Sequence, residues 1–264
     1  MIIRARDDRA PVLLLVPAVI GLAFLVLPLV GLLARAPWAH AGTILGSGAA
    51  EALLLSLITA TAATLAALVL GVPLAWLLAR PRGRHRSILR AMITVPLVLP
   101  PVVGGVALFA LLGRSGIIGR PMYQLTGFAL PFTPYAVVVS QVFVALPYLV
   151  LAVEGALRAA DRRFEDAAQT LGATPLRVFW RVTLPLIGPG IVSGAVLAWA
   201  RALGEFGATI TFAGNFPGRT QTMPLAIYLA LQTDTDTATL LAVLLLAVSV
   251  AVLALLRDRW IRAW

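Results

Sequence analysis

The chain has 264 residues, is 60% hydrophobic and only 12% charged, and has a mean hydropathy of +0.96; soluble domains carry about a quarter charged residues, so an ordinary soluble domain is excluded. The net charge of +10 would suggest a nucleic-acid partner in a soluble protein, but the arginines sit in short loops beside apolar runs, where membrane topology accounts for them. There is no cysteine, which excludes disulfides, thiolate metal sites and a Cys nucleophile, and the two histidines, His40 and His85, fall in loops and argue against a His-based metal site.

Residues 1–10 are polar and carry Arg4, Arg6 and Arg9. The apolar run at 11–34 is longer than a signal-peptide core of about 7–15 residues, so it reads as an uncleaved first span. Pro17 and Pro28 bend it. A Gly-rich loop leads to a second span, 51–79, whose Ser56, Thr59, Thr61 and Thr64 can bond back to their own helix or across to another. Residues 80–90, RPRGRHRSILR, form the densest basic segment, explained better by an inner loop than by nucleic-acid binding. The third span, 91–112, contains Pro96, Pro100, Pro101, Gly104 and Gly105. Such a broken span either lines a cavity or is a packing kink, and the residues leave both open. An outer loop, 114–133, precedes the fourth span, 134–157, which Pro147 interrupts and whose helix can continue through Glu154 and Arg158.

Residues 161–185 are the one long polar, amphipathic stretch. A first helix keeps Phe164, Ala167, Ala168 and Leu171 on one face, at i, i+3, i+4, i+7 spacing. Gly172 stops it in a left-handed conformation, and Thr174-Pro175 starts a second helix with Leu176, Val178, Phe179 and Val182. By its residues alone this is an amphipathic hairpin lying on the membrane surface between two spans. The fifth span, 185–212, holds Arg201 and Glu205, the one ion pair deep inside an apolar stretch. The pair either locks that span to its neighbours or presents Arg201 to a passing anion while Glu205 holds it in place. Thr209 and Thr211, one turn further out, can supply hydroxyls near the outer mouth. A long, polar outer loop, 214–237, is suited to contact with a partner outside. The sixth span, 238–256, ends in RDRWIRAW, with Trp260 and Trp264 suited to the interface.

Arginine placement predicts the orientation. With both termini inside, the inner segments hold Arg4, Arg6 and Arg9, then Arg80, Arg82, Arg84, Arg86 and Arg90, then Arg158, Arg162, Arg163, Arg177 and Arg181, and finally Arg257, Arg259 and Arg262. The outer loops hold only Arg35, Arg114, Arg120 and Arg219. The positive-inside rule therefore places residues 161–185 in the cytoplasm. The expected fold is all-α, a single six-span domain over residues 1–264.

Residues 161–185 resemble the cytoplasmic signature of ABC importer permeases: E-A-A, three residues, Gly, nine residues, Ile-x-Leu-Pro. Here it is Asp166-Ala167-Ala168, Gly172 and Val182-Thr183-Leu184-Pro185, with Asp166 for Glu beside Glu165, and Val182 for Ile. The resemblance implies a type I ABC importer permease fold and docking of Glu165, Asp166, Ala167, Ala168 and Gly172, within coupling helices at 161–182, onto a separate cytoplasmic ATPase subunit. Without any lysine the chain cannot contain a G-x-x-x-x-G-K-[ST] phosphate loop, so ATP and Mg²⁺ are expected on that partner and no cofactor in this chain.

Two further runs, Gly204-Glu205-Phe206-Gly207-Ala208 and Gly214-Asn215-Phe216-Pro217-Gly218, resemble the molybdate, tungstate and sulfate branch of these permeases. The following Thr220-Gln221-Thr222-Met223-Pro224 looks closest to molybdate permeases. The resemblance implies a homodimer in the bacterial inner membrane, two ATPase subunits and an oxyanion-binding protein outside. The intramembrane charges Arg201 and Glu205, with the hydroxyls of Thr209 and Thr211, are the candidate translocation path or gate. The chain itself would not be an enzyme. Sulfate, thiosulfate or tungstate is the alternative cargo, and an ATPase-independent channel or secondary transporter the alternative class.

Overall fold

The computed structural model describes residues 12–44, 48–80 and 85–261. Arg4, Arg6, Arg9, Arg82, Arg84, Arg262 and Trp264 lie outside the described residues, as do the side chains of His85, Arg86, Arg257, Arg259 and Trp260. The described residues are all-helical, with no strand among them.

In chain order the helices are α1 (Val12–Arg35), α2 (Ala41–Ile44), α3 (Ala50–Ala79), α4 (His85–Val98), α5 (Pro101–Leu112), α6 (Gly119–Thr126) and α7 (Pro134–Ala159). There follow α8 (Arg163–Thr170), α9 (Pro175–Val178), a π-helical turn (Phe179–Thr183), α10 (Leu184–Leu186), α11 (Gly188–Leu203), α12 (Gly207–Phe212), α13 (Met223–Thr233) and α14 (Thr235–Ile261). Helices α1, α3, α7 and α14 are each long and apolar enough to cross a membrane, which needs about 20 residues. Counting each bent helix pair as one span raises the number from four to six.

The core is the packing of α3, α7 and α11. It is built from small residues: Ala60, Ala63, Ala67 and Ala75 of α3, Ala145 of α7, and Ala198 and Ala202 of α11 are all fully buried. Lipid tails compete equally well for apolar surface, so membrane helices gain by close backbone approach, which small side chains permit. Gly190 shows how close: a Cβ there would come within 2.3 Å of the Ala156 Cβ.

Two of the expected spans are broken. At the third, α4 and α5 meet at 115°, so residues 91–112 are not one straight helix. The physical cause is the Pro100-Pro101 pair. Proline disfavours the α region in the residue before it, and Pro100 takes φ −54°, ψ 133°, while Pro101 fits the first turn of α5, where no N–H partner is needed. The fifth bends by 70° at Ile187, where φ −92° and ψ 3° leave the helical range ahead of Pro189. It breaks again between Leu203 and Gly207.

Three expected loops contain helices. The Gly-rich loop before the second span holds a 3₁₀ turn (Trp38–His40) and α2. The outer loop at 114–133 holds α6, closed by Gly127 at φ +70°. The stretch 214–237, expected to be a polar loop, holds the apolar α13, which buries Met223, Leu225 and Ala230 and packs on α14. A chain of edge-to-face rings, Phe212–Phe109–Phe132–Phe216, ties what remains of that loop to α5 and the start of α7.

Candidate functional site

At one end of the bundle, α8, α9 and the π turn form the expected hairpin, with a shorter second arm. The α-helical part of that arm is only Pro175–Val178, and the π turn carries the chain on to Leu184. Gly172 at φ +82° closes α8. Its N–H donates to the Gln169 carbonyl at 2.9 Å and the Ala173 N–H to the Ala168 carbonyl at 3.0 Å, the paired bonds of a Schellman cap. Among the described residues no atom lies within 4 Å of a Cβ built on Gly172, so conformation rather than space calls for glycine there.

Among the described residues nothing covers the apolar face of α8. Phe164 and Leu171 are 58% and 89% exposed, and Leu176 and Trp180 extend the same kind of surface; Asp166 and Ala167 are exposed too, while Ala168 is half-buried. Glu165 differs from these. It is only 8% exposed and points into the bundle, where its Oε1 accepts the Thr183 hydroxyl at 2.5 Å and its Oε2 meets Arg80 at 3.0 Å. Arg80 in turn lies 4.7 Å over the Trp76 ring. Glu165 thus ties α8 to the π turn and to the end of α3, and within this chain it is an internal clamp rather than an outward-facing residue.

At the other break, Arg201 occupies the last turn of α11 and Glu205 the non-helical link to α12. Arg201 Nη1 lies 2.7 Å from Glu205 Oε2, an ion contact outside hydrogen-bond directionality. Glu205 Oε1 accepts the Ala208 N–H at 2.9 Å. A cation therefore sits at the carbonyl end of α11 and an anion at the amide end of α12, each favourable to its local dipole. The pair splices two helices. Glu205 is 1% exposed, while a quarter of the Arg201 side chain stays accessible, so the arginine is the more accessible half of the pair.

Thr209 is fully buried and its hydroxyl has no partner among the described residues. The Thr211 hydroxyl donates to the Gly207 and Ala208 carbonyls at 2.9 and 3.1 Å. Both lie on α12, which packs tightly on α5: a Cβ on Gly105 would sit 1.7 Å from Thr211 Oγ1, and one on Gly207 would sit 2.8 Å from the Pro101 Cβ.

The same region contains residues that the sequence reading passed over. On α7, Ser140 Oγ donates to the Ala136 carbonyl at 2.9 Å and lies 3.4 Å from the Ala208 carbonyl. Its neighbour Gln141 is fully buried, with both amide atoms unpaired among the described residues. A lone glutamine in an apolar span was a visible signal, because buried amides are normally satisfied.

An all-helical chain with this many apolar helices is a multi-pass membrane protein, and its fold is that of ABC transporter permeases. It matches a chain of a bacterial alginate ABC transporter, crystallised in complex with an alginate pentasaccharide-bound periplasmic protein, at TM-score 0.73 and 19% identity, over 92% of this chain and 90% of that one. The MetNI methionine ABC transporter in an inward-facing conformation matches at TM-score 0.61 and 20% identity, over 83% and 95%. The sequence itself is more specific: residues 71–263 match the family described as binding-protein-dependent transport system inner membrane component, and the chain belongs to that family. Its relatives include the molybdenum transport system permease protein ModB of Mycobacterium tuberculosis, 52% identical over 214 residues and 81% of each chain. ModB of Haemophilus influenzae is 44% identical over 211 residues, 80% of this chain and 92% of that one.

Proposed function

We propose that this chain is the permease subunit of a molybdate importer, working as a homodimer with two cytoplasmic ATPase subunits and an oxyanion-binding protein outside. The observation that carries the reading is the uncovered α8 face, Phe164 and Leu171, rigidly tied through Glu165 to the spans. An apolar surface rimmed by charge marks a protein contact. The ModB relatives, named for molybdenum transport, support the cargo, and the binding-protein-dependent family together with the ABC transporter fold supports the ATPase and binding-protein partners. ATP and Mg²⁺ are held by the ATPase, and both termini lie in the cytoplasm with the hairpin.

ATP-driven closure of the ATPase subunits moves the α8 hairpins. The Glu165 clamp passes that motion to α3 and the π turn. Tight α5–α12 packing supports a shut outer end in this conformation, which opens as the spans rock. The anion released by the binding protein meets the accessible Arg201, with Glu205 fixing the guanidinium and Thr209 and Thr211 further along on α12. Coupling requires that ATPase and binding protein each bind the two states with different affinity. The uncovered α1 completes the dimer or faces lipid.

The test is uptake of radiolabelled molybdate into vesicles holding this chain, its ATPase and its binding protein, with sulfate or tungstate as competitor. ATP-dependent uptake that resists sulfate supports the reading. Abolition by equimolar sulfate moves the cargo to sulfate, and uptake without the ATPase assigns a channel or secondary transporter.

A further inference from the structure

At the α8 end of the bundle, α4 turns a polar face toward α7. Ser87, Arg90, Ala91 and Thr94 recur at the spacing of one helical face, and with Leu78 and Arg158 they line an open cavity of about 430 Å³. A second face of α4 carries Ile88, Met92 and Val95, all exposed and apolar. The helix is thus built to stand between an apolar medium and a polar cavity.

One carboxylate serves two guanidiniums there. Glu154 of α7 is buried, and its Oε1 pairs with both Arg90 and Arg158, the latter at 2.9 Å. A structural ion pair would need one arginine; the second leaves the cluster with a surplus positive charge. Arg90 and Arg158 keep 42% and 54% of their side chains accessible. Each guanidinium has five N–H donors in a planar fork, more than a single carboxylate oxygen can use. The Thr94 hydroxyl is turned back onto the Arg90 and Ala91 carbonyls at 3.0 Å, which leaves the guanidiniums as the principal donors.

We propose that this cavity is a binding site for a tetrahedral oxyanion, carried either as the phosphate of an anionic phospholipid headgroup or as free molybdate. Arginine forks match such oxygens with charge-assisted bonds, and basic pockets between membrane helices take up anionic headgroups. The site needs neither ATPase nor binding protein, so its failure and that of the importer reading are separate results.

The test uses the full chain purified in detergent. Native mass spectrometry reads retention of phosphatidylglycerol against phosphatidylcholine, and equilibrium dialysis reads binding of radiolabelled molybdate. Arg158→Gln neutralises the surplus charge but leaves the Arg90–Glu154 pair. It is expected to weaken binding about tenfold, the size of one lost charge-assisted bond. Loss confined to phosphatidylglycerol identifies a lipid site, and loss confined to molybdate an anion site. Should Arg158→Gln fail to fold, Glu154→Gln raises the surplus charge and must tighten the same binding. Equal retention of both lipids together with no molybdate binding, in wild type and Glu154→Gln alike, overturns the proposal.

Discussion

The Thr183 hydroxyl donates to the Glu165 carboxylate at 2.5 Å, joining the first turn of α8 to the π turn that feeds the next span. Thr183 is 1% exposed, so each group removes the other from solvent. Glu165→Ala would strand the hydroxyl and release Arg80. A charge-assisted bond of this kind is worth about 1.5–3 kcal/mol. We expect a lower unfolding temperature and molybdate uptake reduced more than ATP hydrolysis. Thr183→Val, which keeps the shape, should show the same ratio of losses. Equal loss of uptake and hydrolysis in both variants would count against a clamp that transmits motion.

Gly172 separates conformation from docking. A residue with a Cβ at its left-handed φ costs about 1–2 kcal/mol, whereas asparagine tolerates that region. Among the described residues nothing crowds the position, so Gly172→Asn should preserve both the fold and the approach of a partner. Gly172→Leu should cut ATP turnover linked to uptake by tenfold or so, through about 1.4 kcal/mol of lost docking or cap geometry. Uptake assayed side by side for the two variants checks this. Normal turnover in the leucine variant would remove α8 from the docking surface.

The α5–α12 contact should be intolerant of a single methyl. Gly105→Ala places a Cβ 1.7 Å from Thr211 Oγ1 and 2.8 Å from the Ala208 carbonyl oxygen. Overpacking of this sort costs about 1–3 kcal/mol. The expected result is an outer end propped open: ATP hydrolysis without binding protein should rise while uptake falls. Thr211→Ala in the same chain should restore coupling only in part, because the carbonyl clash persists.

Removing Glu205 leaves Arg201 without its partner at the end of α11. Breaking a fully buried pair costs about 3–5 kcal/mol, and the partial exposure of Arg201 lowers that cost here. Glu205→Gln keeps an acceptor for the Ala208 N–H, so it should destabilise less than Glu205→Ala, as thermal unfolding in detergent would show. Arg201→Gln paired with Glu205→Gln should recover stability but not uptake if Arg201 meets the anion. Recovery of both would make the pair purely a splice.

Asp234 offers a pH test outside the spans. The Thr237 hydroxyl, and then the Asp236 N–H, hold its carboxyl below the ordinary value of 3.8. A group whose folded value lies lower stabilises above its unfolded value and loses that contribution as pH falls through the folded one. Wild type should therefore exceed Asp234→Asn in unfolding temperature near neutral pH, and the gap should close as the carboxyl protonates. A gap that stays constant on acidification would mean that the cap is not ionic.

Much was decided by the sequence alone. Composition and apolar runs specify an all-helical membrane chain, because about 20 apolar residues per helix have no other stable home. The α8 hairpin and its Gly172 stop follow from spacing at short range. The i, i+4 spacing of Arg201 and Glu205 suggests a pair on one helix, but α11 ends at Leu203, and it is the non-helical link to α12 that carries Glu205 to the guanidinium. Only the tertiary structure decided which way Glu165 turns. Asp166 beside it is exposed, and nothing local distinguishes two consecutive acids until Thr183 and Arg80 arrive from distant positions. The angle at Pro100-Pro101 was likewise undetermined, since prolines forbid a straight helix without choosing a new direction; α12 and the Gly105 contact choose it. The sharing of Glu154 between Arg90 and Arg158 also belongs to the tertiary structure. One of its two bonds spans 64 residues, and only the packing of α4 on α7 brings that second arginine to the same carboxylate.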